Sequence, residues 1–325
     1  MALASWNERT RVRRAALIAT TLLVLCLCGV AANLATSYLF RSAGNYPKVY
    51  ETIPLGVSLA HTVGYFLQFS GKESAYIQTG SNFVRAQPVG ITSAYLSGIN
   101  ASGIAVGGYC PNAVCNPLSG EHGYTYDINT GAITTIDFPG IINATTAYGI
   151  NDLGEVVGGY CPASFTCAPN PTSPTAKGFL FAGGVFTTIR FPGSDATQAS
   201  AINNAGVIVG DYIALVNLTG PHGFLYRNGV YKNIDFPGAN ITEPNAINNA
   251  GVVAGYFQDK QLNIHGFTYQ AGKFTQIDMP GALGTAIRGI NDANQLVGVW
   301  FPTFGVANFR AIPARSQPQL AATEP

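Results

Sequence analysis

From residue 50 onward the chain alternates short apolar runs of Val, Ile, Tyr and Phe with breaks of Gly, Asn, Asp and Pro. Stretches such as EVVGGY, VIVGDY and HGFLYRNGVYKNIDFPG are short, rich in β-branched and aromatic residues and bounded by turn formers. That chemistry predicts strands. No sustained helical periodicity appears after residue 40, so helical repeats are excluded. A different run stands at the front: residues 15–32, AALIATTLLVLCLCGVAA, are uncharged and apolar and predict one N-terminal hydrophobic helix.

The strand pattern repeats. A Gly/Ala-Ile-Asn motif recurs at Gly98-Ile99-Asn100, Gly149-Ile150-Asn151, Ala201-Ile202-Asn203, Ala246-Ile247-Asn248 and Gly289-Ile290-Asn291, with a worn copy at Gly56-Val57-Ser58. A turn and an apolar run follow each copy, and the glycine of that run falls at Gly64, Gly107, Gly158, Gly210, Gly255 and Gly298, at spacings of 43, 51, 52, 45 and 43 residues. Two residues beyond each glycine stands an aromatic: Phe66, Tyr109, Tyr160, Tyr212, Phe257 and Trp300. A third run carries Tyr124, Phe179, Phe224 and Phe267, with worn copies at Tyr76 and Phe309. A fourth ends in FPG or MPG at Gly140, Gly193, Gly238 and Gly281. Asn-Asn-Ala-Gly and Arg-Asn-Gly between runs suit tight hairpins, because Asn and Gly tolerate positive φ.

Four strands in 43 to 52 residues are the dimensions of a propeller blade. The expected fold is all-β: a six-bladed β-propeller of four-stranded blades over residues 47–312, with five- and seven-bladed rings as alternatives. The last unit lacks a fourth strand. Tyr50-Glu51-Thr52-Ile53 matches Phe186-Thr187-Thr188-Ile189, so an N-terminal strand there is expected to close the ring and remove the open sheet edge. Residues 33–46 read as a linker and 313–325 as a disordered tail.

On its motifs the repeat resembles the HAF repeat of bacterial extracellular proteins. The family's strand corresponds to His222-Gly223-Phe224-Leu225-Tyr226 and its Ile-Asn-Asn segment to Ile247-Asn248-Asn249-Ala250-Gly251-Val252-Val253-Ala254-Gly255. The chain departs from the family in using Gly where the name has Ala, and in its Asp-Phe-Pro-Gly ending. The resemblance implies export and a repeat architecture, and no activity.

Export is also read from residues 1–32. Arg9, Arg11, Arg13 and Arg14 precede the apolar run, and Val30-Ala31-Ala32 offers small residues for cleavage. The segment reads equally as a signal peptide and as a retained membrane anchor, and either leaves the rest outside the cytoplasm. Only 10% of residues are Asp, Glu, Lys or Arg, and the net charge is +1, without the basic face of a nucleic-acid binder. A monomer is expected. Beyond the leader, the cysteines come in two close pairs, Cys110 with Cys115 and Cys161 with Cys167. In an exported chain these read as two local disulfides rather than a zinc site.

Chemistry is sparse. Phosphate-loop, HExxH and GxSxG motifs are absent from the sequence, and neither a cofactor nor a metal is expected. Asn100, Asn151, Asn203, Asn248 and Asn291 recur in step and read as turn caps. Asp137, Asp235 and Asp278 recur likewise and read as blade-to-blade bonds or a solvated strand edge. His122, His222 and His265 precede the third strand in separate blades; with Asp211 they are the candidate ligand-binding residues. Asp195, Asp211, Glu243 and Asp259 are acids that the other repeats do not share, and their gathering at one end of the channel would favour hydrolysis. The expected function is a noncatalytic exported scaffold that binds an extracellular partner, a glycan or a surface protein, through the loops joining second and third strands. The alternative is a propeller hydrolase acting on glycans.

Overall fold

The computed structural model describes residues 38–91, 93–111, 120–141, 145–162, 176–214 and 220–314. The hydrophobic helix expected over 15–32 and most of the expected tail lie outside the described residues, among which no helix is long and apolar enough to cross a membrane.

Every regular element among the described residues is a strand. The first, β1 (Tyr38–Arg41), precedes blade 1, which comprises β2 (Glu51–Val57), β3 (His61–Leu67), β4 (Glu73–Thr79) and β5 (Asn82–Arg85). Blade 2 is β6 (Ser93–Ile99), β7 (Ile104–Cys110), β8 (His122–Asp127) and β9 (Ile133–Ile136). Blade 3 is β10 (Thr145–Ile150), β11 (Val156–Tyr160), β12 (Lys177–Ala182) and β13 (Val185–Ile189). Blade 4 is β14 (Ala196–Ile202), β15 (Ile208–Ile213), β16 (His222–Arg227) and β17 (Val230–Asn233). Blade 5 is β18 (Ile241–Ile247), β19 (Val253–Gln258), β20 (Ile264–Gln270) and β21 (Lys273–Ile277). Blade 6 is β22 (Gly284–Ile290), β23 (Leu296–Phe301) and β24 (Ala307–Pro313), with β1 as its outermost strand. All pairings are antiparallel. The fold is a six-bladed β-propeller.

An N-terminal strand does close the ring, but a different one from that expected. Tyr38 pairs with Pro313 and Arg41 with Arg310, while Glu51–Ile53 open the first strand of blade 1 and pair with β3. The closing strand therefore lies within the stretch read as a linker. An outermost strand has a neighbour on one edge only and carries little of the repeat pattern, so YLFR offers no motif to align.

All six blades share two contacts, and four of the six joints add a third. The third-strand aromatics Tyr76, Tyr124, Phe179, Phe224, Phe267 and Phe309 are the largest fully buried side chains and fill the space between blades. The second-strand glycine faces a β-bulge in the first strand, present in all six blades between Pro54/Gly56, Leu96/Gly98, Ala147/Gly149, Ala199/Ala201, Pro244/Ala246 and Ile287/Gly289. A Cβ at Gly210 would overlap the Gln198 carbonyl oxygen, and the other five glycines meet the corresponding oxygen in the same way. The repeated Gly is thus a steric requirement of the bulge.

The aromatic two residues further on joins blades. Phe138 of the FPG segment stacks on Tyr160 of the next blade, Phe191 on Tyr212, and Phe236 on Phe257, each with centroids 3.7 Å apart. Tyr46 stacks on Phe66 at 3.9 Å where the ring closes. At each of these joints the N–H of the stacking residue donates to a first-strand threonine: Thr145, Thr197, Thr242 and Thr52.

Candidate functional site

The bulges determine what lines the axis. Each first strand presents three consecutive residues to the central channel: a bulge residue, a Gly or Ala, and an Ile or Val. The Gly/Ala ring packs backbone against backbone; a Cβ at Gly98 would touch Gly149, and one at Gly289 would touch Gly56. Below it lies an apolar belt of Val57, Ile99, Ile150, Ile202, Ile247 and Ile290.

The repeated asparagines form the next ring. Each Oδ1 accepts an N–H from its own turn, as Asn248 does from Val252 at 2.9 Å. Each Nδ2 donates to the main-chain carbonyl of the next blade: Asn100 to Asn151, Asn151 to Asn203, Asn203 to Asn248, Asn248 to Asn291 and Asn291 to Ser58, all at 3.1 Å. The expected turn caps are therefore also blade-to-blade ties. Asp152 and Asp292 serve a parallel ring, accepting the main-chain N–H of Ala101 and of Asn249.

Above the constriction the symmetry ends. The six bulge residues are Leu55, Ser97, Tyr148, Ser200, Asn245 and Arg288, and with Tyr95 and Gln198 they line a cavity of about 170 Å³ at the channel mouth. Only the serine recurs there, so the position facing this cavity is where the repeat stops repeating. Two acidic nodes flank the cavity. On one side the Tyr95 hydroxyl donates to Glu121, and Gly108 leaves room for the pair, since a Cβ there would strike both. On the other side the Tyr256 hydroxyl donates to Glu243, the Arg288 guanidinium lies over the Tyr256 ring at 5.1 Å, and Asp211 pairs in register with the cavity-lining Gln198.

Burial sets the protonation of these acids. It raises the Asp211 carboxyl well above the usual range, and the neighbouring Glu243 charge raises it further. Glu243 is also raised by burial, which outweighs the Tyr256 hydrogen bond and the Arg288 charge. Glu121 is raised by burial against its Tyr95 hydrogen bond. A raised pKa favours the protonated carboxyl, which can donate as well as accept. Asp211 Oδ2, Ser97 Oγ and Arg288 Nε are buried atoms without a hydrogen-bond partner. The mouth therefore offers unused polar groups around a small cavity, an arrangement suited to a small polar ligand.

The other sequence candidates lie elsewhere. His122, His222 and His265 each bond an aspartate of their own blade, Asp137 at 2.8 Å, Asp235 at 2.8 Å and Asp278 at 2.9 Å, and sit beside the second-strand aromatic. The three aspartates thus act within blades, not between them. Where the histidine is Lys177, the aspartate is Arg190, so the pair changes together. Among the described residues no group of three or more His, Cys, Asp or Glu is arranged to hold a metal ion. Of the unshared acids, Asp211 and Glu243 meet at the mouth; Asp259 caps its own turn by accepting from Asn263, and the Asp195 N–H bonds Ile213 at the end of β15. Cys110 and Cys161 are disulfide-bonded; Cys115 and Cys167, and most of the two long loops that carry them, lie outside the described residues. Those loops leave β7 and β11 at the end of the blades where the cavity opens.

No protein-family model matches the chain, and no curated protein is similar to it in sequence. Solved structures resemble it in fold. TolB from Acinetobacter baumannii is 12% identical with a TM-score of 0.50, over 79% of this chain and 64% of that one. AofleA from Arthrobotrys oligospora is 13% identical with a TM-score of 0.49, over 86% and 91%. The β-propeller domain of the Trilobed protease from Pyrococcus furiosus is 9% identical with a TM-score of 0.48, over 85% and 100%. At such identities the likeness to TolB speaks for the propeller fold and for nothing finer.

Proposed function

We propose that this chain is an exported, noncatalytic propeller that binds an extracellular glycan, with a terminal sugar held in the axial cavity. One observation carries the reading: the column of the repeat that varies from blade to blade is the column that lines the cavity. Structural positions recur because each blade needs them, whereas a ligand without sixfold symmetry needs different groups on different sides. The polar side chains that line it, Tyr148, Gln198, Asn245, Arg288 and two serines, are of the kinds that give and take hydrogen bonds with hydroxyl groups. Export rests on residues 1–32 and the HAF-like motif, and both belong to the same proposal.

The test is a thermal-shift screen of the full chain against a saccharide panel. A binding sugar is expected to raise Tm in the wild type through preferential binding to the folded state, and the rise is expected to vanish in Arg288→Gln and Tyr148→Phe. A shift retained in both variants would refute the axial site.

Asp211 and Glu243 favour a second reading, glycan hydrolysis, because they are neighbouring carboxyls in unlike surroundings: Asp211 is raised by burial and by the Glu243 charge, whereas at Glu243 burial is opposed by Tyr256 and Arg288. Such a difference is the usual basis of an acid and base pair. Release of product from chromogenic glycosides, abolished by Glu243→Gln, would replace binding by catalysis.

A further inference from the structure

Four of the six blade joints are filled by an aromatic stack. Between blades 1 and 2 the equivalent residue is Pro88, which follows Ala86 as Phe236 follows Ile234, and the joint between blades 5 and 6 departs differently. Between blades 5 and 6 the residue equivalent to Phe138, Phe191 and Phe236 is Met279, and the aromatic opposite it is Trp300. The joint is otherwise built like the rest: the Met279 N–H donates to Thr285 at 2.9 Å, as at the stacked joints. Met279 and Trp300 instead form part of the wall of a cavity of about 320 Å³, which also meets the chain entering blade 1 at Ser42, Asn45, Tyr50 and Glu51. Tyr50 on this wall and Phe69 beside it are 68% and 78% accessible. Tyr50 and Phe69 meet edge to face at 6.3 Å.

The polar wall is equally particular. Asn308 occupies the place that Gly123, Gly178, Gly223 and Gly266 hold in blades 2 to 5. It spends its amide on the entering chain, donating to Gly44 O, Asn45 Oδ1 and Thr52 O and accepting from Ala43 N. Asn45 thereby keeps its own Nδ2 donor, Ser42 keeps its hydroxyl proton while its Oγ accepts from Gly44, and the Glu51 carboxylate lines the cavity as an acceptor.

We propose that this seam is a second ligand site, taking a pyranose ring stacked on Trp300. The ring's C–H face, with its partial positive charge, suits the negative face of an indole, and its hydroxyls suit Glu51, Asn45 and Ser42. An aromatic or prolyl side chain would satisfy the indole but strip water from those three groups without replacing their hydrogen bonds. The volume falls at the lower end of the range for ligand pockets, the size of one or two sugar rings. The seam is separate from the axial cavity and stands or falls independently of it.

The chain has two tryptophans, Trp6 and Trp300, so in a Trp6→Phe background the indole emission reports on the seam alone. Full-length protein is titrated with the methyl glycosides of glucose, galactose, mannose, fucose and N-acetylglucosamine. At least one is expected to change Trp300 emission saturably. Met279→Phe introduces the ring found at three of the other joints, so it is expected to keep or raise Tm while weakening that glycoside roughly tenfold or more. Glu51→Gln is expected to weaken it severalfold with the fold intact. The proposal is overturned if no glycoside changes the emission, if Met279→Phe binds as the wild type does, or if phenylalanine and proline amides saturate the signal where glycosides do not. A glycoside whose binding is lost in Arg288→Gln and untouched in Met279→Phe would likewise overturn the seam while leaving the axial proposal standing.

Discussion

Asp211 is 1% exposed and lies beside a second carboxyl, so its proton is governed by its surroundings rather than by the chemistry of aspartate. Its folded pKa is raised, whereas the unfolded chain ionises near about 3.9. Between those two values the folded state binds more protons than the unfolded state, so stability falls as pH rises through that window and levels off above the folded value. Asp211→Asn removes the titration and keeps the shape. Relative to that variant the wild type is expected to lose Tm as the pH rises above about 4, until Asp211 ionises in the fold, with Glu243 contributing a shared trend of the same sign to both. Thermal melts across the range check this, and parallel curves for the two proteins would show that Asp211 is ionised in the fold without cost. Asp211 stands out in the sequence as an acid that the other repeats lack. Its alliance with Glu243 does not, because the two sit on β15 and β18 and meet only when blades pack.

At the scale of the strand, the same few residues recur because each solves a steric problem that every blade poses. Gly faces the bulge, Thr receives the N–H of the joint, and the aromatic two residues past the Gly takes the Phe of the preceding blade. Phe236→Leu keeps an apolar side chain and loses the 3.7 Å stack on Phe257. It is expected to cost roughly 1–2 kcal/mol, from the lost ring interaction and imperfect filling, measured by urea denaturation. A change below the error of that measurement would mean that the stacks are incidental to blade adhesion. The blade count, the repeated strands and the hairpin turns were legible in the sequence because the Gly and aromatic positions recur six times and the Asn five, whereas the closing strand, which carries no repeat motif, was not. The candidate site was legible in principle too, as the variable column just before the repeated Gly/Ala-Ile-Asn motif: Leu55, Ser97, Tyr148, Ser200, Asn245 and Arg288. A search for repetition passes over it, and only the bulge explains why that residue leaves the ladder and faces the axis. The seam departures, Met279 for Phe and Asn308 for Gly, were visible letters whose meaning needed the ring to be closed.

Closure is what turns six sheets into one molecule, and the structure places it in a single strap. Residues 38–41 pair with β24 and set Phe40 edge-on against Phe309 at 5.3 Å. Residues 43–45 are tied to Asn308, and Tyr46 stacks on Phe66 of blade 1. The strap thus runs from the outer edge of blade 6 to the start of blade 1, and releasing either end frees the other. If it acts as one cooperative unit, Asn308→Ala and Phe40→Ala remove overlapping stability. Asn308→Ala gives up the bonds of two amide hydrogens, shared among three acceptors, and of one carbonyl oxygen, on the order of 3 kcal/mol at typical net values, and Phe40→Ala a packed ring. The double variant is expected to lose less than the sum of the two, with a coupling of about 1 kcal/mol or more, because a strap already loosened by one change has less to lose by the other. Denaturation of the four proteins closes the cycle. Strict additivity would mean that pairing along β24 and the Asn308 anchor hold the ring independently, and the unpaired edge that follows from losing one would then be shielded by the other.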